Sequence, residues 1–185
     1  MIMFPFGKIH QRTRSLFAAM ISVALLVLPL ACASVSKQRS LSEVKAEVEA
    51  TWILEEWHMK GEVVLPPKVE GRFIVRDNSI VLILLNRAGE SPWSYYGYGK
   101  YILDASTFSI GFDETSFFKE STSGITVSRE LLWDGKMESF VIDTENNQLH
   151  MLCADIGYEL IVDGNTLIIK RKGKIAITYR RAGSK

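Results

Sequence analysis

The stretch Tyr158-Glu-Leu-Ile-Val-Asp163-Gly164-Asn165-Thr-Leu-Ile-Ile-Lys-Arg171-Lys172-Gly173-Lys174-Ile-Ala-Ile-Thr-Tyr-Arg-Arg181 decides the fold. Three runs rich in β-branched and aliphatic residues are separated by Asp-Gly-Asn and Lys-Gly-Lys. These turn residues tolerate positive φ or bond locally to the backbone, and the intervals are too short for anything but hairpins. Moving towards the N-terminus, the same alternation of runs and turns recurs. Asp77-Asn78, Asp134-Gly135 and Glu145-Asn146-Asn147 supply the punctuation. The pattern predicts strands over 51–58, 71–77, 79–86, 95–104, 108–113, 125–133, 137–143, 148–154, 157–162, 165–171 and 174–181. The intervals 59–70, 87–94 and 114–124 read as long loops, the last around Ser121-Thr122-Ser123-Gly124. Parallel strands need long crossovers, and no helical pattern lies between these runs. The expected fold is therefore all-β: an antiparallel meandering barrel of about 8–10 strands, since closure removes the edges a flat sheet would expose.

One short helix is predicted ahead of the barrel, over Leu41–Ala50. Ser40 and Glu43 form a capping-box pattern, and Leu41, Val44 and Val48 share a face. The run Ile80–Leu85 is apolar on both faces, so its outer face needs a cover; the helix or a partner subunit is the expected one.

The first 33 residues read as an export tag. Lys8, Arg12 and Arg14 precede an uncharged span from Leu16 to Ala31, which ends at Ala31-Cys32-Ala33. Two processing routes fit. Signal peptidase would cut before Ser34, leaving a soluble chain. Alternatively, Leu28-Pro29-Leu30-Ala31-Cys32 resembles a bacterial lipobox ending at residue 31, with Cys32 lipidated and tethering the protein to a membrane. The organisation expected is a tag over 1–33, a polar leader and helix over 34–50, and a barrel over 51–181. The location expected is the periplasm or cell envelope.

The chain carries 22 basic and 21 acidic residues; losing the tag leaves 19 against 21, a net charge of −2. That balance gives no electrostatic basis for binding nucleic acid. The two cysteines are Cys32 and Cys153, so no disulfide within the mature chain is expected. Roughly 150 residues are enough for one hydrophobic core.

Thr51-Trp52-Ile53-Leu54-Glu55-Glu56-Trp57 opens the first strand and Arg180-Arg181 ends the last. With Pro66–Phe73 and Tyr96–Tyr101, they resemble the lipocalin-like, or calycin, pattern of small bacterial domains. That resemblance implies a barrel closed at one end by Trp52 under an arginine, Arg180 or Arg181. It also implies a lumen able to hold a small apolar or amphipathic molecule.

No metalloprotease, zinc, nucleotide or serine-hydrolase motif occurs, so neither a metal nor a cofactor is expected. Glu55 and Glu56, adjacent on a strand, would point to opposite faces, whereas Glu56 and His58 would share one. Aromatic supply peaks at Trp93, Tyr95, Tyr96, Tyr98 and Tyr101, with Tyr96 and Tyr98 as the expected lumen-lining ligand contacts. The function expected is non-catalytic binding of a small molecule by a monomer or weak dimer. The alternative is a filled barrel that binds a protein; an enzyme is a third reading with no residue constellation behind it.

Overall fold

The computed structural model describes residues 39–59, 61–89, 92–131 and 136–184. The export tag, Cys32 and the leader to residue 38 lie outside the described residues. Helix α1 (Leu41–Val48) is followed by β1 (Ala50–Met59), β2 (Glu62–Val64), β3 (Val69–Arg76) and β4 (Ser79–Asn86). Then come β5 (Trp93–Leu103), β6 (Thr107–Ser121), β7 (Gly124–Leu131), β8 (Glu138–Glu145) and β9 (Gln148–Cys153). The chain closes with β10 (Tyr158–Asp163), β11 (Thr166–Arg171) and β12 (Lys174–Arg181). Ten strands form a closed antiparallel barrel in the order β1-β3-β4-β5-β6-β8-β9-β10-β11-β12, with β12 pairing back onto β1. The turn residues behave as their chemistry requires: Asp77, Asn78, Asn146, Asn147, Lys172 and Gly173 all have positive φ.

Two strands stand outside that cycle. β2 pairs with β1 at Trp57–Met59, whereas β3 pairs with β1 at Ala50–Ile53. Leu65-Pro66-Pro67-Lys68 breaks what would otherwise be one strand, because proline cannot donate to a ladder. β7 likewise pairs with β6 from Glu114 to Ser121, and β8 takes over from Thr107 to Ile110. The interval 114–121, expected as a loop, is thus the second half of a 15-residue strand. The interval 59–70 contains β2.

Three single-residue bulges adjust which side chains face inward. Glu55 is extra on β1 opposite β12, Ala176 on β12 opposite β11, and Asp113 on β6 opposite β5. At Glu55 the alternation reverses. Leu54 is buried inside, and the next residues packed on the core are Trp57 and Met59. Glu55 and Glu56 therefore do not split between the two faces as expected. Glu55 accepts from Arg180 Nε on the outside at 2.7 Å, and Glu56 lies 3.3 Å from His58.

Helix α1 closes one end of the barrel, rather than covering the outside of β4. Its capping box at Ser40 and Glu43 is formed, and Val44 and Val48 are buried in the core. The outer residues of β4 lie beside large neighbours instead, Val81 opposite Tyr98 and Ile83 opposite Tyr96. Trp52 Nε1 donates to the Val48 carbonyl at 3.2 Å, tying indole to helix. The Arg181 guanidinium lies 4.7 Å from the Trp52 ring and donates to the carbonyls of Ala46 and Glu47 at the helix C-terminus. Arg180 points outward to Glu55 and takes no part in this stack. Glu49, the residue capping α1, accepts from the Asp77 amide and from the Tyr101 hydroxyl. Burial and that carboxylate keep the Tyr101 phenol protonated, its pKa pushed up to about 12.

Glycine is required where β5 meets β6. A Cβ on Gly99 would lie 2.0 Å from the Gly111 carbonyl oxygen and 2.6 Å from Phe112 Cα, both backbone atoms. On Gly97 it would meet the Phe112 ring at 2.8 Å, a side chain able to rotate. Gly99→Ala should therefore destabilise the protein by about 3 kcal/mol, and Gly97→Ala by about 1 kcal/mol. Urea midpoints of the two variants against the parent check that order.

Candidate functional site

At the α1 end the barrel interior is packed. Inward positions place Phe73, Val75, Ile80, Phe108, Leu149 and Met151 around Trp52, all buried. The cavity bounded by Val48, Trp52, Phe73, Phe108, Met151 and their neighbours has a volume of ≈ 10 Å³. That is the size of a single water in a wholly apolar lining, where a water would find no polar partner. Higher in the barrel Gly71 lets side chains close in, since a Cβ there would lie 2.9 Å from Leu84 and 3.1 Å from Leu54.

At the end opposite α1 the inward residues are aromatic. Trp57 and Trp93 meet edge to face at 5.4 Å, although β3 and β4 separate their strands around the wall. Trp93 also packs on Phe117 at 5.6 Å. These rings reach across the mouth towards one another while staying only half-buried. Tyr95, beside them, has its phenol pKa raised by burial, against a hydrogen bond to Thr115 that lowers it.

Tyr96 and Tyr98 do not line the lumen. Gly97, Gly99 and Tyr101 take the inward positions of β5, so Tyr96 and Tyr98 stand on the outer face, 41% and 51% exposed. Strand phase fixes this, because alternate residues cannot share a face with their neighbours. Tyr96 instead borders a groove of ≈ 470 Å³ on the outside of β5, β6 and β7. Trp93, Ser94, Ser116, Phe118, Glu120 and Ile125 complete its walls. Tyr96 and Phe118 pack edge to face at 5.8 Å. Beyond Phe118, β7 turns its apolar residues outward, with Ile125 67% and Val127 57% exposed. Its inward-facing Thr126, Ser128 and Glu130 are polar and exposed as well. Among the described residues the far edge of β7 pairs with no strand.

The β5–β7 face is thus an aromatic and aliphatic strip with a few polar groups and an open backbone edge. It is bounded towards the barrel centre by the forked ion pair of Arg129 and Glu114, at 2.7 and 3.0 Å, which lowers the Glu114 pKa. A sequence signal for this face exists in Phe117-Phe118 and in Ile125-Thr126-Val127, which alternate as strands do. The serines and threonines around them mask it.

Other polar groups cluster less suggestively. On the outer wall His150 Nδ1 lies 2.9 Å from Glu159, which also takes Lys170 at 3.2 Å. Burial raises the Glu159 pKa, but these two partners outweigh it and hold the carboxyl low. No group of three or more His, Cys, Asp or Glu among the described residues is arranged to hold a metal. Cys153 is a buried free thiol facing the core.

Among the described residues two buried side-chain oxygens lack a partner, Asp113 Oδ1 at the β6 bulge and the Tyr179 hydroxyl inside the barrel. The Tyr179 hydroxyl is buried without a hydrogen-bond partner, and burial raises its pKa strongly. A buried unpaired hydroxyl costs free energy that its apolar counterpart does not. Tyr179→Phe should therefore leave stability unchanged or raise it by up to about 2 kcal/mol, as read from thermal or urea unfolding. No family model matches the chain, and no curated protein and no solved structure matches it.

Proposed function

We propose that this chain is an exported, non-catalytic binding module that recognises a protein partner with the outer face of β5, β6 and β7. The observation that carries the reading is the contrast between inside and outside. Beneath α1 the described residues leave a cavity of ≈ 10 Å³, while the outer groove spans ≈ 470 Å³ beside exposed Ile125 and Val127. Small-molecule sites enclose most of their ligand's surface. A groove on a convex wall next to a free strand edge suits an extended polypeptide better. Such a segment could add main-chain hydrogen bonds along the edge and set side chains against the apolar strip.

A second reading, binding of a small apolar or amphipathic molecule, is favoured by the half-buried Trp57, Trp93 and Phe117 at the barrel mouth. Site-specific photo-crosslinking in cells separates the two. A crosslinker placed at Tyr96 or Val127 should capture one common protein species, and one at Lys170 on the opposite wall should not. Loss of that species from both positions, with a small-molecule adduct in native mass spectra, would transfer the function to the mouth.

Export supplies the setting of this proposal, and Cys32 decides its form. The mass of the mature N-terminus should correspond either to a chain starting at Ser34 or to one starting at a diacylated or triacylated Cys32. An unprocessed chain carrying residues 1–33 would overturn export by either route.

A further inference from the structure

The outer edge of β7 lies open along the groove, with no described strand beside it. Natural sheets protect a free edge with proline, charged side chains (lysine above all), a bulge or a covering segment. β7, Gly124-Ile-Thr-Val-Ser-Arg-Glu-Leu131, contains no proline and no lysine, its two charges Arg129 and Glu130 stand together near its C-terminal end, and its register with β6 is unbroken. Ile125 and Val127 face outward and are more than half exposed.

Among the described residues no segment covers it. The four residues 132–135 can span at most about 14 Å, whereas Ile125 lies six residues, about 20 Å, back along the strand. They must also join β8, which pairs with β6 in the opposite direction along the same edge. Arg39, the first described residue, donates to the Asn147 carbonyl at the α1 end of the barrel, and the β6–β7 tip is at the other end.

We propose that the occupant is a second copy of this chain, paired antiparallel edge to edge through β7, with Val127 opposite its own mate. The proposal rests on the reading of the β5–β7 face as the recognition surface. Two-fold symmetry permits the pairing, since an isologous contact needs one self-complementary patch. It also selects the register. With Val127 facing Val127, Ile125 meets the aliphatic stem of the mate's Arg129, whose guanidinium is already held by Glu114. Thr126 then faces Ser128, and Glu130 faces Gly124, so no like charges oppose. A shift that sets Ser128 against Ser128 places Val127 beside a guanidinium on both sides and Thr126 against Glu130. In the first register the rows run Phe118–Val127–Val127–Phe118 across both copies, one continuous apolar strip. A seven-residue edge contact falls near or below the roughly 1,200 Å² of standard interfaces, so the dimer depends on concentration.

Sedimentation of the processed wild-type protein over rising concentration should show the mass doubling. Val127→Lys and Val127→Glu should each raise the dissociation constant at least tenfold, with unchanged urea midpoints. An equimolar mixture of the two should restore a heterodimer, because each variant opposes a like charge only to itself. Val127→Cys should form a symmetric disulfide, as paired residues in a ladder lie about 4.5–5.5 Å apart between Cα atoms. A wild type that stays monomeric, a lysine variant that dimerises like the parent, or a disulfide at Ser128→Cys and not at Val127→Cys would each overturn the proposal. A monomeric wild type whose crosslinks from Tyr96 and Val127 reach a different protein would overturn self-pairing alone and leave the recognition surface standing.

Discussion

The seam between β1 and β12 is the constraint on which the remainder of the structure depends. The first and last strands of the cycle must meet in register, from Trp52 opposite Arg181 to Trp57 opposite Ile177. A backbone bond extends the seam past β12, since Ala182 donates to Thr51, while on the other side of β12 Arg181 donates to Asn165. Without that pairing the sheet would be an open ribbon with two bare edges and no enclosed interior. With it, the inward residues of ten strands converge on one core, and α1 has an end to close.

The seam also shows how a single inserted residue redistributes chemistry. The Glu55 bulge turns Trp57 and Met59 inward, which provides one half of the aromatic contact across the mouth. The Asp113 bulge does the same on β6, keeping Phe117 inside and Phe118 outside beside Tyr96. The mouth and the outer groove are therefore both products of register. They share one β5–β6 hairpin, with one presented to the lumen and the other to solvent.

Much of the architecture was legible in the sequence because its signals are local. Turn residues with positive φ marked most hairpins, and the capping box marked α1. The second half of β6 was hidden by Ser116 and Ser121, whose composition matches a loop although they are laddered to their neighbours, and by the Thr122-Ser123 turn that follows them. β2 was hidden by brevity, being three residues beside two prolines. The bulges left no trace in composition, since one extra residue looks like any other, and with them went the facing of Glu55 and Trp57. The face of Tyr96 and Tyr98 was set by Gly97 and Gly99, which occupy the inward positions because Phe112 and Gly111 leave no room for a side chain. Aromatic content marked the right strand but could not say which side of it.

The helix cap carries a consequence for the order of assembly. α1 precedes every strand, yet its C-terminal carbonyls are held by Arg181 and its neighbour Trp52 lies beneath that same guanidinium. An element emerging early from the ribosome thus waits for one that emerges more than a hundred residues later. Until β12 arrives, neither the seam nor the cap can form, and closure over so long a loop is slow compared with local hairpins. The barrel therefore cannot be completed piecemeal from its N-terminus: the first helix and the last strand are locked by the same closing contact, and neither is finished before the other.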